Sequence, residues 1–154
     1  MIPGMTAWLT WAAIPLLFLA VWLVVLWVIS WLGGWRRLAR HYRSPEPWKH
    51  TGLGWQSLYL DRGICFRGSV KAQADEHGLH LSVWPIFRAF HPPLTIPWED
   101  LSGRRLGPTS PWGRMLVTRT VLLSARLTPE VPLILSERLA EKLSEKTGAS
   151  WLCA

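Results

Sequence analysis

The chain begins with an unbroken apolar run. Residues 7–32 read AWLTWAAIPLLFLAVWLVVLWVISWL, in which Thr10 and Ser30 are the only hydroxyl side chains. At ~1.5 Å per residue a helix of this length measures about 39 Å, and the hydrocarbon core of a bilayer needs about 30 Å. Pro15 lies inside the run, where a membrane helix tolerates proline with a kink. The run therefore predicts a single transmembrane helix.

The flanks of this run indicate a stop-transfer anchor and not a cleaved signal peptide. No charged residue precedes Arg36, whereas a signal peptide has a basic segment ahead of a shorter apolar core. Four arginines then follow closely, namely Arg36, Arg37, Arg40 and Arg43. The positive-inside rule places that side in the cytoplasm and the N-terminus outside.

Residues 36–50 form a basic connector that carries much of the net charge of +7. The spacing of Trp35, Leu38 and Tyr42 predicts a short amphipathic helix, which follows two glycines and ends before Pro45. Its arginines suit the headgroups of anionic lipids. A plain stop-transfer cluster without lipid selectivity accounts for the same residues, and both interpretations stay open.

Six of the twelve tryptophans belong to the apolar run or its edge. The four nearest the ends are Trp8, Trp11, Trp31 and Trp35. These indoles are predicted to anchor in the headgroup regions. Trp22 lies near the middle, where lipid offers its N–H no acceptor. Either Trp22 is tolerated in lipid, or it packs against a partner helix, a pigment or a quinone.

From residue 51 onward, short apolar segments alternate with turn signals. Leu79, Leu81 and Val83 alternate with polar residues, which predicts a strand with one buried face. Six or seven such strands are expected, with a turn at Pro129–Glu130, and Ser136 is the predicted N-cap of a final helix that ends at Gly148.

The predicted fold class is one N-terminal transmembrane α-helix plus a small α+β domain. The domain is a mostly antiparallel curved sheet or partial barrel with a C-terminal capping helix. We divide the chain into an anchor (1–35), a basic juxtamembrane connector (36–50) and the β domain (51–154).

Three segments resemble a known group of bacterial proteins. The strand GLHLS (78–82) and the corner IPWEDL (96–101) resemble membrane-tethered members of the pleckstrin-homology (PH)/GRAM group. WRRLARHY (35–42) resembles the juxtamembrane part of small, uncharacterised single-pass proteins of this kind. Covering residues 35–148, the resemblance implies a non-catalytic PH/GRAM-like domain that binds lipid headgroups or protein segments at a bacterial inner membrane.

The most unusual stretch after the apolar run is WPIFRAFHPPL, residues 84–94. Trp84, Phe87 and Phe90 share one proline-bounded loop, although loops are normally polar. These side chains either enter the core or the bilayer surface, or they form a docking site for another protein. Together with Trp22 they are the predicted partner contacts.

No residue pattern indicates catalysis, so the chain is predicted not to be an enzyme and to need neither metal nor cofactor. His77, His80, His91 and Asp75 would form a metal site only if the fold brought them together. Cys65 has no evident base partner in the sequence. The later arginines are too sparse for a nucleic-acid surface, so no nucleic-acid partner is expected.

These observations favour a non-enzymatic, membrane-anchored adaptor or accessory subunit that docks on a membrane protein complex at the inner membrane. The alternative is a module that senses anionic lipid. It would use the juxtamembrane arginines and the basic side of the domain, formed by the arginines of the later strands (Arg104, Arg105, Arg114, Arg119 and Arg126). The expected partners are thus the lipid bilayer and a membrane protein or larger membrane complex.

Overall fold

A computed structural model describes residues 3–45, 54–60, 63–106, 120–147 and 152–153. Its first element is a long helix, α1 (Pro3–Leu32), which contains Pro15. Within α1 the segment Trp11–Leu32 has a mean hydropathy of 2.8 and is long and apolar enough to cross a membrane. The predicted long apolar N-terminal helix is therefore confirmed.

A sharp break separates α1 from the next helix, α2 (Trp35–Tyr42). Gly34 adopts a left-handed backbone with φ of 77°, which glycine reaches without steric cost. A Cβ atom on Gly34 would lie 2.8 Å from Val131 Cγ1, so the site also requires the absence of a side chain. The break turns α2 away from the axis of α1 and toward the domain.

Within the described residues, eight strands form one sheet whose first seven strands nearly close into a barrel. Their bounds are β1 (Trp55–Tyr59), β2 (Cys65–Ala74), β3 (Gly78–Val83), β4 (Leu94–Pro97), β5 (Leu101–Leu106), β6 (Thr120–Ala125), β7 (Thr128–Ser136) and β8 (Leu152–Cys153). The order across the sheet is β4-β3-β2-β1-β7-β6-β5-β8. Two antiparallel meanders, β1–β4 and β5–β7, thus meet where Tyr59 of β1 pairs with Ile134 of β7. The short β8 adds to β5 in parallel.

The turn predicted at Pro129–Glu130 is wrong, because Pro129 lies inside β7 and the chain turns at Arg126–Leu127. Between Leu123 and Ala125 the pairing of β6 with β7 shifts register, so β7 carries extra residues there. Proline lacks the N–H that a ladder needs and is accommodated at such bulges.

The final helix, α3 (Glu137–Thr147), packs on β2, β6 and β7. Leu139, Ala140 and Leu143 are its buried face. The Leu139 N–H donates to Ser136 Oγ at 3.4 Å, which agrees with the predicted N-cap. Gly148, the predicted end of this helix, lies outside the described residues.

A buried polar network connects the end of α2 to the start of β5 and to the turn between β6 and β7. The Tyr42 hydroxyl donates to Asp100 Oδ2 at 3.3 Å and accepts from the Leu127 N–H at 3.1 Å. Asp100 Oδ1 lies 2.7 Å from Arg126 Nε. Burial raises the pKa of Tyr42, and the neighbouring Asp100 carboxylate raises it further, against the hydrogen bond from Leu127. Tyr42 therefore stays protonated and keeps donating at physiological pH.

Candidate functional site

The C-terminal half of α1 lies against the domain along one face. Trp22, Leu26, Ile29 and Ser30 follow the i, i+4, i+7, i+8 spacing that places residues on one side of a helix. Leu26 is only 2% exposed and Ser30 is fully buried. Because Ile29 also packs on the domain core, this half of the helix is part of the fold as well as of the candidate span.

The segment that receives this helix face is the aromatic loop, residues 84–92. Ser30 Oγ donates to the Phe90 carbonyl at 2.6 Å. The Trp35 indole N–H donates to the Pro92 carbonyl at 3.0 Å. The first hydrogen bond holds the aromatic loop beside residues 22–30 of α1, and the second holds it to α2.

The four predicted partner contacts differ in exposure: Trp84 is exposed, and the other three are half-buried. Trp22 and Phe87 pack on each other, with ring centroids 5.7 Å apart. Phe90 is half-buried and borders a groove that also contacts Trp27. Trp84 is 46% exposed and meets Trp55 edge-on at 5.5 Å. A role for these residues in binding a partner stays a prediction.

Trp35 is not a membrane anchor, contrary to the sequence-based assignment. Its side chain is 0% exposed and packs in the domain core against Phe66 and His91. The assignment rested on the nearness of Trp35 to the end of the apolar run, but the break at Gly34 redirects the chain. Of the other predicted anchors, Trp11 and Trp31 are exposed, and the side chain of Trp8 lies outside the described part of the chain.

The arginine side of α2 forms a second candidate surface with the end of α1. We call it the basic face and define it as Trp27, Trp31, Arg36, Arg40 and Arg43. All five side chains are exposed, and the two indoles stack at 6.5 Å with their planes 4° apart. Two grooves of about 370 and 390 Å³ run between these side chains.

Charge on the basic face is uncompensated within the described ranges. None of Arg36, Arg40 and Arg43 forms an ion pair with a described carboxylate. Arg37 differs, because it is half-buried beside Gly34 and Val131. The apolar face of α2 is occupied by the domain core, so only this arginine side is available to a bilayer.

An apolar cavity of about 510 Å³ lies between α1 and the domain. Trp22, Val25, Leu26 and Ile29 form the wall on α1. The opposite wall comes from β2, where the apolar Phe66 lies beside the polar Cys65, Arg67 and Ser69, and from Trp84, Ile86, Phe87 and His91 of the aromatic loop. A volume of this size is in the range of small-molecule sites.

His91 is the buried ionisable group of this cavity wall. Its Nδ1 lies 2.9 Å from the Phe87 carbonyl, which can only accept, so Nδ1 carries the hydrogen. Burial lowers the pKa of His91, and the hydrogen bond to Phe87 opposes this only in part, so the ring is neutral. Nε2 is then a bare acceptor, and it has no hydrogen-bond partner within the described residues.

The histidines considered for a metal site are used structurally. His80 Nε2 lies 2.8 Å from Asp75 Oδ1, and His80 Nδ1 lies 3.1 Å from Thr95 Oγ1. Asp75 also accepts from the backbone N–H groups of His77 and Gly78, which closes the β2–β3 turn. Burial favours a higher pKa for Asp75, but these hydrogen bonds outweigh it and lower the pKa. Over the described ranges, no three His, Cys, Asp or Glu side chains converge on a possible metal position.

Two functional residues escaped the sequence-based reasoning. Ser30 was noted as a hydroxyl in an apolar run, yet its isolation there was the signal that a buried acceptor lies opposite. His91 was considered only as a metal ligand, although it stands between aromatic and proline residues, where burial was the simpler expectation. Comparison of the chain with protein-family models, with curated proteins and with solved structures found no significant match.

Proposed function

We propose that the protein is a non-enzymatic, membrane-anchored module that binds anionic lipid headgroups through its basic face. The observation that carries the proposal is the group of three exposed arginines without described acid partners, next to two stacked indoles at the end of the candidate span. Each basic residue near an anionic bilayer surface contributes about 1 kcal/mol. Indoles prefer the same interfacial depth.

The proposal includes an orientation and a location. The arginines follow the span, so the positive-inside rule favours a cytoplasmic domain and an external N-terminus. The two meanders and the C-terminal helix support assignment to the PH/GRAM-like group, and with it a bacterial inner membrane. Trp22 and Phe87 pack on each other within the chain, so this contact needs no partner protein. The exposed arginines therefore favour lipid binding over the adaptor role.

Native mass spectrometry of the full chain, released from mixed phosphatidylglycerol–phosphatidylcholine vesicles, tests this proposal. The full chain is required, since removing α1 would uncover Leu26 and Ser30. We expect at least tenfold enrichment of the anionic lipid on the unmodified protein, given ~1 kcal/mol per arginine. The variant Arg36→Gln/Arg40→Gln/Arg43→Gln should lose this enrichment.

A second triple variant is the matched control. Arg104→Gln/Arg138→Gln/Lys142→Gln removes the same formal charge from exposed positions on β5 and α3. It should keep the enrichment, because these residues lie outside the basic face. Equal retention of both lipids by the unmodified protein, or equal losses in the two variants, would overturn headgroup binding.

An accessory-subunit role is the second candidate, favoured by one exposed apolar patch. Trp55, Trp84 and Ile86 are adjoining large side chains that all stay exposed. Exposed apolar clusters of this kind commonly mark interaction sites. Extraction in mild detergent followed by size analysis tests it: a stoichiometric larger assembly that Trp84→Ala disrupts supports the role, and a strictly monomeric protein excludes it.

A further inference from the structure

The cavity beside α1 has a chemical signature that headgroup binding does not use. Its walls are mainly aromatic and aliphatic, with Trp22, Phe66, Trp84 and Phe87 contributing four aromatic rings. One wall belongs to the candidate membrane span. A ligand drawn from the bilayer is therefore nearer than one drawn from water.

A buried hydrogen-bond acceptor in this wall, His91 Nε2, indicates that the ligand carries a hydrogen-bond donor. His91 is fully buried, and its Nδ1–H is already committed to the Phe87 carbonyl. Its Nε2 keeps a lone pair that no described residue satisfies. An unpaired buried acceptor is costly, and a neutral hydroxyl donor on the ligand relieves that cost without placing a second cation near Arg67, which also lines the cavity.

We propose that this cavity binds a membrane-soluble hydroquinone-type amphiphile, whose ring lies among the aromatic walls and whose hydroxyl donates to His91 Nε2. Aromatic walls favour a planar ring over a flexible acyl chain, since ring pairs gain energy beyond the area they bury. Val25 and Ile86 are exposed members of the two walls, so the hydrocarbon tail leaves between them into lipid. The proposal concerns binding alone and does not depend on the basic face.

The direct test uses full-length protein in phosphatidylcholine nanodiscs and a hydroquinone with a ten-carbon tail, kept reduced under argon. Quenching of tryptophan fluorescence reports binding, because Trp22 and Trp84 line the cavity. We expect saturable quenching. The dimethyl ether of the same compound, which has no hydroxyl donor, should bind about tenfold more weakly, the cost of one buried hydrogen bond. Dodecanol, which has the hydroxyl but no ring, should protect against quenching only weakly.

Two substitutions locate the site. Ile86→Trp places a larger side chain in an exposed wall position and should reduce binding at least tenfold without unfolding the domain. Leu127→Trp is the control, because Leu127 is similarly exposed but lies in the β6–β7 turn, outside the cavity lining. His91→Phe should reproduce the affinity of the ether on the unmodified protein.

The outcomes separate cleanly. Equal binding of the hydroquinone and its ether would overturn the hydrogen bond to His91. Equal competition by dodecanol would overturn recognition of a ring in favour of any lipid alcohol. Equal effects of Ile86→Trp and Leu127→Trp would place the ligand elsewhere. The ether comparison and the exposed Ile86 position keep the test decisive even where His91→Phe fails to fold.

Discussion

The two halves of α1 have the same apolar character and opposite surroundings. From Trp11 to Val21 every described side chain is exposed. From Trp22 to Leu32 the helix has one face against the domain, with Leu26 and Ser30 buried there. The first half makes no buried contact with the domain, whereas the second half belongs both to the candidate membrane span and to the folded domain.

The length of the helix explains why it serves both purposes. Thirty residues, Pro3–Leu32, measure about 45 Å at ~1.5 Å per residue, which exceeds the hydrocarbon thickness by about 15 Å. The candidate span Trp11–Leu32 alone measures about 33 Å, so residues 22–32, the docked half, belong to it as well as to the contact with the domain. In a bilayer this contact would fix the aromatic loop and the basic face at a set height relative to the lipid.

The largest expected contrast compares two tryptophans on either side of the helix break. Trp35→Ala removes a fully buried side chain and should lower the free energy of unfolding by about 3–5 kcal/mol. Trp31→Ala, at 60% exposure, should change it by no more than about 0.5 kcal/mol. Urea unfolding in mild detergent measures both. Similar losses in the two variants would contradict the assignment of Trp35 to the core.

The next contrast tests the two halves of α1 directly. Leu26→Ala leaves a cavity between helix and domain and should cost about 2–4 kcal/mol of domain stability. Leu17→Ala, in the exposed half, should leave the urea midpoint of the domain unchanged within error. Loss of stability from Leu17→Ala would mean that both halves belong to the fold.

The features that could be predicted from the sequence also differ between the free and the docked parts of the molecule. The apolar helix, the position of strand β3 and the Ser136 cap were all predicted, because each depends on local spacing or a local hydrogen bond. The single buried face predicted for β3 was wrong, because His80 and Ser82 on its other face are buried as well. The docking of α1 was not predictable from periodicity, since a helix that is apolar on every side has no distinct buried face. Of the residues on that face, Trp22 and Ser30 carry the polar groups that marked it.

The error at Trp35 has a different origin. Nearness to the end of the apolar run indicates an interfacial position only while the same helix continues, and the left-handed backbone at Gly34 ends α1 before Trp35. The cavity with His91 was out of reach because its walls come from segments about sixty residues apart in sequence, Trp22–Ile29 and Trp84–His91. Only tertiary structure brings such segments together.

The hinge between the two helices is tested by a pair of glycines. Gly34 and Gly54 have nearly the same φ, 77° and 78°, but only Gly34 has a neighbour within reach of an added Cβ. Gly54→Ala should cost about 1 kcal/mol from backbone strain alone. Gly34→Ala should cost about 2–3 kcal/mol, because Val131 must also move. Equal costs in thermal and urea unfolding would mean that α2 adjusts its direction freely.

The smallest expected effect is the pH dependence of the free energy of unfolding that arises from His91 in the aromatic loop. Burial lowers the pKa of His91, so the unfolded chain takes up a proton there at higher pH than the folded chain does. Its contribution to stability is present above about pH 6.5, the pKa of an unperturbed histidine, and is lost as pH falls below that value. We expect a loss of about 1 kcal/mol between pH 7.5 and 5.5.

Two variants test this pH dependence of stability. His91→Phe should flatten the slope of stability against pH, and His41→Gln, on the exposed side of α2, should keep it. An unchanged slope in His91→Phe would assign the acid sensitivity to another group.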